Sequence, residues 1–187
     1  MDKVTDYKNK LLIIISSPSG TGKTSVCKKI IDHDNKIKLS VSHTTRAPRD
    51  NEVNGKDYFF ISNEDFNGKI LEKSFLEYAN VFGNYYGTSE KNVKETLSAD
   101  FDVLFDIDWQ GAAQISNSNL AKIIKIFLVP PSKKDVLERL EKRSKDTGDD
   151  RKAIQRRMLE YENEMKHANE YDYVVLTSGN YNIFLYE

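Results

Sequence analysis

The segment that decides the fold is Leu11 to Thr24, LLIIISSPSGTGKT. It opens with five consecutive aliphatic residues, and the length and β-branched content of this run predict a strand buried on both faces. A glycine-rich turn follows, after which Lys23 and Thr24 begin a helical pattern. Strand, glycine-rich turn and helix in this order predict a P-loop, in which backbone N–H groups and the start of the helix bind phosphate.

Two side chains at the end of the P-loop carry chemistry of their own. Lys23 is placed to reach the terminal phosphates of a nucleoside triphosphate, and the Thr24 hydroxyl is placed to ligate Mg²⁺. The usual pattern, G-x-x-x-x-G-K-[ST], has glycine where this chain has Ser17; because Ser17 keeps its backbone N–H, we expect weakened triphosphate binding at most. A plain turn between a strand and a helix is the alternative interpretation. The residues predicted to bind the triphosphate here are Ser17, Pro18, Ser19, Gly20, Thr21, Gly22, Lys23, Thr24 and Ser25.

Length, composition and charge narrow the class of protein. The chain has 187 residues, of which 39% are hydrophobic and 30% charged, and its formal net charge is −1. These values predict one globular unit with no general attraction to nucleic acid or to an anionic membrane. No apolar run resembles a signal peptide or a membrane span, and Cys27, the single cysteine, excludes an internal disulfide. We therefore expect a cytoplasmic protein with a packed, unreactive thiol.

Strands and helices alternate along most of the chain, which predicts an α/β fold with a parallel sheet and right-handed crossovers. The segment from Ser42 to Leu97 is different, since it combines an irregular basic loop with a hairpin around Gly83 and two short helices. We interpret it as a mostly antiparallel insert. Beyond it, the apolar run Phe101 to Ile107 predicts a core strand, and Asp106 and Asp108 then lie where α/β sheets present their ligands.

Local patterns predict several further elements. The strand before the insert is expected to run from Ile37 to Ser42. Ser62 and Ser132 each precede an acidic residue by three positions, a capping box that predicts the start of a helix. Tyr181 to Tyr186, YNIFLY, is interpreted as the beginning of a truncated helix, so we expect the C-terminal end of the fold to be incomplete.

The insert contains candidate anion-binding residues. Arg46 and Arg49 lie close together in a loop that is too irregular for an ordinary solvated helix face, and guanidinium groups suit the oxygens of a phosphate. Tyr58, Tyr86 and Ser42 add neutral hydrogen-bond donors. Surface charge for the two arginines and core packing for the two tyrosines are the alternative interpretations.

Four longer segments resemble guanylate kinase: SVSHTTRAPRDNEVNGKDYFF, FLEYANVFGNYYGTS, DVLFDIDWQGAAQI and IFLVPPSKKDVLERLEKR. The resemblance extends from the P-loop to about Leu176. It implies transfer of the terminal phosphoryl group of ATP to GMP or dGMP, with Mg²⁺ as cofactor and ADP and GDP as products. It also implies a single domain with a P-loop core (about 1–41, 98–138 and 169–187), a GMP-binding insert (about 42–97) and a helical lid (about 139–168).

The same resemblance assigns roles to individual residues. Glu77 and Asp108 would read the guanine base, because carboxylates accept hydrogen bonds from its N1–H and exocyclic amine, and the Thr88 hydroxyl suits its O6. Adenine reverses this pattern and would leave both carboxylates facing an acceptor. Without the resemblance, Glu77 would be interpreted as an exposed strand residue and Asp108 as a helix cap. The implied catalytic residues are Lys23, Arg46, Arg143 and Arg157, and Arg139 and Arg143 are added to the ATP site. Thr24 would bind the metal directly, and Asp106 would support it without direct contact. The implied GMP site comprises Ser42, Arg46, Arg49, Tyr58, Glu77, Tyr86, Gly87, Thr88, Asp106 and Asp108.

The chain departs from the family pattern at places other than Ser17. The lid segment is a few residues longer than usual, so Arg156 is an alternative to Arg157. Thr177 and Ser178 stand where the family commonly has an Asn-Asp pair, which affects the expected contacts on the adenine side.

Two rival functions are open. One is a catalytically inactive guanylate-kinase-like module that binds phosphorylated proteins, and the presence of Lys23 and Thr24 together with both acidic guanine readers disfavours it. The other is a kinase for a different nucleoside monophosphate, which Glu77 and Asp108 disfavour. The sequence leaves the oligomeric state open.

Overall fold

The computed structural model describes residues 7–147, 151–177 and 183–186, which form two β-sheets with helices packed around them. In chain order the strands are β1 (Leu11–Ser16), β2 (Ile37–Leu39), β3 (His43–Thr44), β4 (Phe59–Phe60), β5 (Phe75–Val81), β6 (Asn84–Ser89), β7 (Asp102–Asp106), β8 (Lys122–Val129), β9 (Tyr173–Thr177) and β10 (Ile183–Tyr186). The helices are α1 (Lys23–His33), α2 (Asn63–Leu71), α3 (Glu90–Ser98), α4 (Trp109–Ile115), α5 (Lys133–Thr147) and α6 (Arg151–Lys166), and a 3-10 helix follows at His167–Glu170.

Strand β1 lies inside a six-stranded sheet of order β10-β9-β8-β1-β7-β2, in which β10 alone runs antiparallel to its neighbour among the described strands. Leu12 and Ile14 of β1 and Phe105 of β7 are fully buried. Helices α3 and α4 contribute to the hydrophobic cluster on one face of the sheet and α1 to the cluster on the other. The α/β fold and the doubly buried first strand are thus confirmed.

The register of the core sheet sets the position of the functional residues. β1 pairs in parallel with β7, and Ile15 stands opposite Asp106. Because the carboxyl ends of parallel strands meet at one edge of a sheet, the P-loop (Ser17 to Thr24) that follows β1 lies beside Asp106 and Asp108. This is the edge at which the sequence predicts ligand binding.

The insert forms its own four-stranded sheet, of order β4-β3-β6-β5. β6 pairs antiparallel with both β3 and β5, and the short β3–β4 pair is parallel, so the predicted mostly antiparallel character is confirmed. The hairpin between β5 and β6 turns at Phe82 and Gly83, with φ of 52° and 87°. Two successive positive φ angles give the backbone twist that a two-residue hairpin loop requires.

Both predicted helix starts are confirmed, with the serine hydroxyl accepting the expected backbone hydrogen bond. The Ser62 hydroxyl accepts a hydrogen bond from the Asp65 N–H at 3.0 Å and starts α2. The Ser132 hydroxyl accepts one from the Asp135 N–H at 3.1 Å, immediately before α5. In each case a side-chain oxygen satisfies a backbone donor that the first turn of a helix leaves without a partner.

Two predicted elements differ from the structure. The expected strand from Ile37 to Ser42 is divided: β2 ends at Leu39, and the chain then leaves the core sheet so that β3 pairs with β6 and β4 in the insert. The expected helical start at the C-terminal end was wrong. Ile183–Tyr186 forms β10, which pairs with the free edge of β9 and so satisfies its backbone groups, while positions 181 and 182, like Ser178, lie outside the described residues.

Two expectations about the environment of the chain have a structural counterpart. Cys27 is buried in α1, and burial raises the pKa of its thiol, as expected for an unreactive packing residue. Across the described part of the chain, the helices are too short or too polar to cross a membrane. The cytoplasmic location itself stays a prediction.

The burial of β7 between β1 and β2 generates a stability prediction. Leu104→Ala should lower the free energy of unfolding by about 2–5 kcal/mol, because Leu104 is 0% exposed and its truncation leaves a cavity in the core. Leu71→Ala is the matched control: Leu71 is 85% exposed at the end of α2, so its truncation should change stability by less than about 0.5 kcal/mol. Urea denaturation of both variants measures the difference, and equal losses would contradict the prediction.

Candidate active site

A cleft of about 540 Å³ lies between the P-loop, the insert and the helices α5 and α6. A larger and more open depression, of about 640 Å³, runs along α3, but its lysines and glutamates pair with one another. The cleft is the candidate site, because it combines polar side chains from the edge of the core sheet with polar side chains from the insert. Its lining includes these predicted site residues: Ser17, Pro18, Ser19, Gly20, Gly22, Lys23, Thr24, Ser25, Ser42, Arg46, Arg49, Tyr58, Glu77, Tyr86, Asp106, Asp108, Arg139, Arg143 and Arg157.

Three predicted site residues lie outside this lining. The Thr21 carbonyl oxygen accepts a hydrogen bond from Arg139 Nη1 at 2.8 Å, which ties α5 to the P-loop. Gly87 is part of β6, where a side chain would collide with Phe66 of α2. Thr88 is fully buried behind Glu77, so its hydroxyl does not face the cleft as the sequence suggested.

The conformation of the P-loop depends on two of its glycines. Gly22 has a φ of 101° and caps the N-terminus of α1, and Gly20 has a φ of 86°. A Cβ on Gly20 would also lie 3.1 Å from Cγ of Leu140, because the loop packs directly on α5. Ser17 is accommodated without such a conflict, since its hydroxyl donates to the Pro18 carbonyl oxygen at 3.1 Å.

Asp106 joins the two chemically active residues of the P-loop. Its Oδ1 lies 2.9 Å from Lys23 Nζ, and its Oδ2 accepts a hydrogen bond from the Thr24 hydroxyl at 2.8 Å. Lys23 also donates to the Ile107 carbonyl oxygen at 2.8 Å. Burial lowers the pKa of Lys23, but its anionic neighbours, chiefly the Asp106 carboxylate, together raise it by more, so the ammonium group stays charged.

The two arginines of the insert are held together by an acidic residue that sequence reasoning missed. Glu52 Oε1 lies 2.7 Å from Arg46 Nη2 and 3.3 Å from Arg49 Nη1, and Glu52 Oε2 accepts the Arg49 N–H at 2.8 Å. The Arg46 guanidinium also lies over the rings of Tyr58 and Phe60. The only signal for Glu52 in the sequence was its spacing, six positions after Arg46 and three after Arg49.

The tyrosines predicted beside these arginines meet at the wall of the cleft. The rings of Tyr58 and Tyr86 are 5.9 Å apart in an edge-to-face arrangement. Burial, together with the nearby Asp106 carboxylate, raises the pKa of Tyr58 to about 12. The Tyr58 hydroxyl therefore stays protonated at neutral pH and can donate a hydrogen bond to an anion.

Glu77 is a buried carboxyl group at the far side of the cleft. It is 3% exposed, and its Oε1 accepts a hydrogen bond from the Thr88 hydroxyl at 2.5 Å. Burial, with a smaller contribution from the neighbouring Asp108 carboxylate, raises the pKa of Glu77 to about 7 against the opposing effect of the Thr88 hydrogen bond. The shift places the titration of Glu77 within the physiological range.

Asp108 has both of the positions considered for it. It caps α4, since its Oδ1 accepts the Gly111 N–H at 3.0 Å, and its Oδ2 accepts from the Gln110 side chain at 2.9 Å. At the same time it lines the cleft close enough to Glu77 to raise the pKa of that group. The helix-cap interpretation and the binding interpretation are therefore compatible.

Helix α6, in the segment predicted to be the lid, brings two charged side chains to the cleft. Arg157 lines it, with its guanidinium carbon 5.7 Å from the centroid of the Phe82 ring at the tip of the insert hairpin, whereas Arg156 is exposed. Glu164 Oε2 accepts the Ser19 N–H of the P-loop at 3.2 Å, and burial raises the pKa of Glu164 to about 7. Glu164 was missed, although its position seven residues after Arg157 places it on the same helix face.

Comparison with known proteins identifies the family. A family model described as guanylate kinase matches residues 9–180. The guanylate kinase of Rickettsia prowazekii (strain Madrid E) is 48% identical over 171 residues, which cover 91% of this chain and 85% of that protein. The guanylate kinase of Ruegeria pomeroyi is 47% identical over 174 residues, covering 92% of this chain and 80% of that protein.

A solved structure agrees with the sequence comparison. The crystal structure of guanylate kinase from Anaplasma phagocytophilum superposes with a TM-score of 0.73 at 32% identity, covering 90% of this chain and 77% of the other. Sequence and fold thus match the same family along most of the chain. The resemblance inferred from four sequence segments is confirmed, and the chain belongs to the guanylate kinase family.

Proposed function

We propose that this guanylate kinase transfers the terminal phosphoryl group of ATP to GMP across the cleft, with ATP on the P-loop side and GMP on the insert side. The observation that carries the proposal is that one cleft contains the Lys23–Asp106 pair, the arginines of the insert and the lid, and the buried Glu77. The arginines lie between a triphosphate-binding loop and a pocket with two carboxylates. Both substrates would therefore meet where positive charge is concentrated.

The insert binds the phosphate of GMP in this proposal. Glu52 keeps Arg46 and Arg49 close together, so a single phosphate can reach both guanidinium groups. Tyr58, whose hydroxyl keeps its proton, adds a neutral donor. The remaining members of this site are Ser42 and Tyr86.

Glu77 and Asp108 read the guanine base. As carboxylates they accept hydrogen bonds from the N1–H and the exocyclic amine of guanine, and Thr88 supports Glu77 from behind. Adenine would present an acceptor to the same groups and leave buried polar atoms without partners. A site of this kind rejects such an analogue by roughly 10⁴-fold or more. Because dGMP has the same base and phosphate as GMP, it is proposed as an acceptor as well.

The P-loop side fits Mg²⁺ as the cofactor that accompanies ATP. The Thr24 hydroxyl and the Asp106 carboxylate are adjacent oxygen donors, the ligand type that Mg²⁺ prefers. The described residues contain no group of three or more acidic, histidine or cysteine side chains that could hold a metal ion; in this proposal phosphate oxygens of ATP supply further ligands. When bound, Mg²⁺ neutralises phosphate charge, and Thr24, with Asp106 behind it, would hold it.

Charge neutralisation and positioning account for the chemistry. Negative charge spreads over the phosphoryl group during transfer, and Lys23, Arg46, Arg143 and Arg157 stabilise it, while Arg139 ties the lid to the P-loop. The phosphate of GMP is already an anionic nucleophile at neutral pH, so no general base is required. We further propose that the insert (42–97) and the lid (139–168) close over the substrates and exclude water.

The inactive binding module is the weaker candidate for this chain. Lys23 and Thr24 retain their contacts with Asp106, and Glu77 and Asp108 both face the cleft. Nothing in the described cleft favours loss of catalysis.

The choice of acceptor tests the proposed function. A coupled assay of ADP release with GMP, dGMP, AMP, CMP and UMP should give turnover with GMP and dGMP and, for AMP, a kcat/KM lower by roughly 10⁴-fold, because adenine leaves Glu77 and Asp108 facing an acceptor. ATP hydrolysis measured without an acceptor nucleotide is the blank. Equal turnover with AMP would refute guanine reading, and binding of GMP without any turnover would favour the inactive module.

The raised pKa of Glu77 generates a pH prediction. The folded protein holds the Glu77 proton up to pH about 7, above its ordinary range near 4.5, so Glu77 makes folding less favourable as pH rises through this window. Glu77→Gln removes that dependence. Its gain in melting temperature over the wild type should therefore increase between pH 4.5 and pH 7.5, while its affinity for GMP at pH 7.5 should fall by about tenfold or more.

The matched control for this pH prediction is Glu141→Gln, on an exposed position of α5. Its melting temperature should differ from that of the wild type by the same small amount at both pH values. Thermal denaturation followed by circular dichroism measures all three proteins. A stability gain for Glu77→Gln that does not change with pH would contradict the prediction.

Adjacent arginines on α6 provide a second test. Arg157→Ala should lower kcat by roughly 10²- to 10³-fold, because a cation that faces the transferring group is lost. Arg156→Ala removes the same charge from an exposed position and should leave kcat within about twofold of the wild type. Steady-state kinetics at saturating ATP and GMP compare them. A larger loss with Arg156→Ala would assign the lid arginine to position 156.

A further inference from the structure

Gly111 occupies an unusual position next to the pocket with two carboxylates. It lies in the first turn of α4 and faces β5 of the insert. A Cβ on Gly111 would be 2.5 Å from Glu77 Oε2, 3.1 Å from Glu77 Cδ and 3.3 Å from Ile107 Cδ1. Because its φ is not positive, the backbone itself would accept any residue, so the contact with Glu77 is what distinguishes this glycine.

Glu77 has little freedom to move away from an added methyl group. Its side chain is 3% exposed, and its other oxygen is fixed by the Thr88 hydroxyl. The strand that carries it is fastened to α4 by Gln114, whose Oε1 accepts the Tyr78 N–H at 3.1 Å and whose Nε2 donates to the Tyr78 carbonyl oxygen at 2.8 Å. These bonds hold β5 against the helix at the residue next to Glu77.

The same glycine also contacts the second carboxylate of the pocket. Its backbone N–H donates to Asp108 Oδ1 at 3.0 Å, which fixes the direction of the Asp108 side chain at the start of α4. One residue therefore contributes to the position of both acids: a missing Cβ makes room for Glu77, and an amide orients Asp108. If the Glu77 carboxylate were displaced, the two acids would no longer have the spacing that they have here.

We propose that Gly111 is a positioning residue for purine selectivity, because the space left by its missing side chain sets where the Glu77 carboxylate lies relative to Asp108. The inference rests on the proposed role of these two acids as guanine readers. It extends that role to a residue that does not touch the base. The consequence is that selectivity for the exocyclic amine of guanine depends on the size of residue 111.

The competing explanation is that Gly111 serves packing alone. Gly68 provides the comparison, since it lies in α2 with no positive φ and with no atom within 4 Å of an added Cβ. Gly68→Ala should raise the melting temperature by about 2–4 °C through helix propensity and leave nucleotide binding unchanged. Gly111→Ala would receive the same gain from helix propensity, so any loss that it shows comes from the added methyl group.

The experiment measures dissociation constants for GMP and IMP by isothermal titration calorimetry. IMP has the same N1–H and O6 as GMP but lacks the exocyclic amine. The variants are Gly111→Ala, Gly68→Ala, Glu77→Ala and the double variant Glu77→Ala with Gly111→Ala. In Gly111→Ala we expect the preference for GMP over IMP to shrink by about tenfold or more, the value of one hydrogen bond to a charged group, with ATP affinity unchanged within twofold.

The double variant separates positioning of Glu77 from a general packing defect. Without the Glu77 carboxylate, Gly111→Ala should cause no further loss of GMP preference. The melting temperature of the double variant should be about 2–4 °C above that of Glu77→Ala, the same gain that Gly68→Ala shows over the wild type. A GMP preference equal to that of the wild type in Gly111→Ala overturns the inference. An equal additional loss in the Glu77→Ala background overturns it as well.

Failure of the proposed function would look different. If Glu77→Ala alone left the GMP-over-IMP preference intact, Glu77 would not read the base, and both the guanine-reading proposal and the role of Gly111 would fall. If Glu77→Ala abolished the preference while Gly111→Ala kept it, only the role of Gly111 would be overturned. The two single variants thus test the two statements separately.

Discussion

The parallel pairing of β1 with β7 is the constraint on which the rest of the molecule depends. With Ile15 opposite Asp106, the two strands end at the same level, so the loop after one meets the carboxylate after the other. That is why Asp106 can contact both Lys23 and Thr24 with distances below 3 Å. A shift of one residue in this register would turn the Asp106 side chain to the opposite face of the sheet and separate it from the P-loop.

The second half of the cleft depends on a contact between the insert and the core. The Gln114 side chain joins β5 to α4, and this brings Glu77, from the insert, beside Asp108, from the core. The buried Glu77 carboxyl group loses hydration and is repelled by the half-buried Asp108 carboxylate, which makes the folded state less stable. Arrangements that lower the stability of a fold are typical of functional sites, where binding requires them.

Much of the fold follows from local sequence patterns, and the site follows only in part. The five aliphatic residues of β1, the two capping boxes and the antiparallel insert are visible in composition and spacing, because each depends on neighbours within a few positions. The role of residues 183–186 was not visible, since a short apolar run pairs with whatever edge the fold offers, here β9. Glu164 and Gly111 were missed for a related reason: their importance comes from contacts that the tertiary structure creates. Glu52 contacts arginines only three and six positions away, but in an irregular loop the spacing does not predict which side chains meet.

The carboxylates that accompany the cations of the cleft have a consequence for recognition. Lys23 lies against Asp106, and Arg46 and Arg49 lie against Glu52, so these three cations already have anionic neighbours. An incoming phosphate therefore exchanges one anionic partner for another, and the net electrostatic gain is smaller than the number of its contacts would imply. Chloride, sulfate and polyanions, which offer charge without the shape of a nucleotide, gain least from this exchange, so the cleft discriminates by geometry more than by charge.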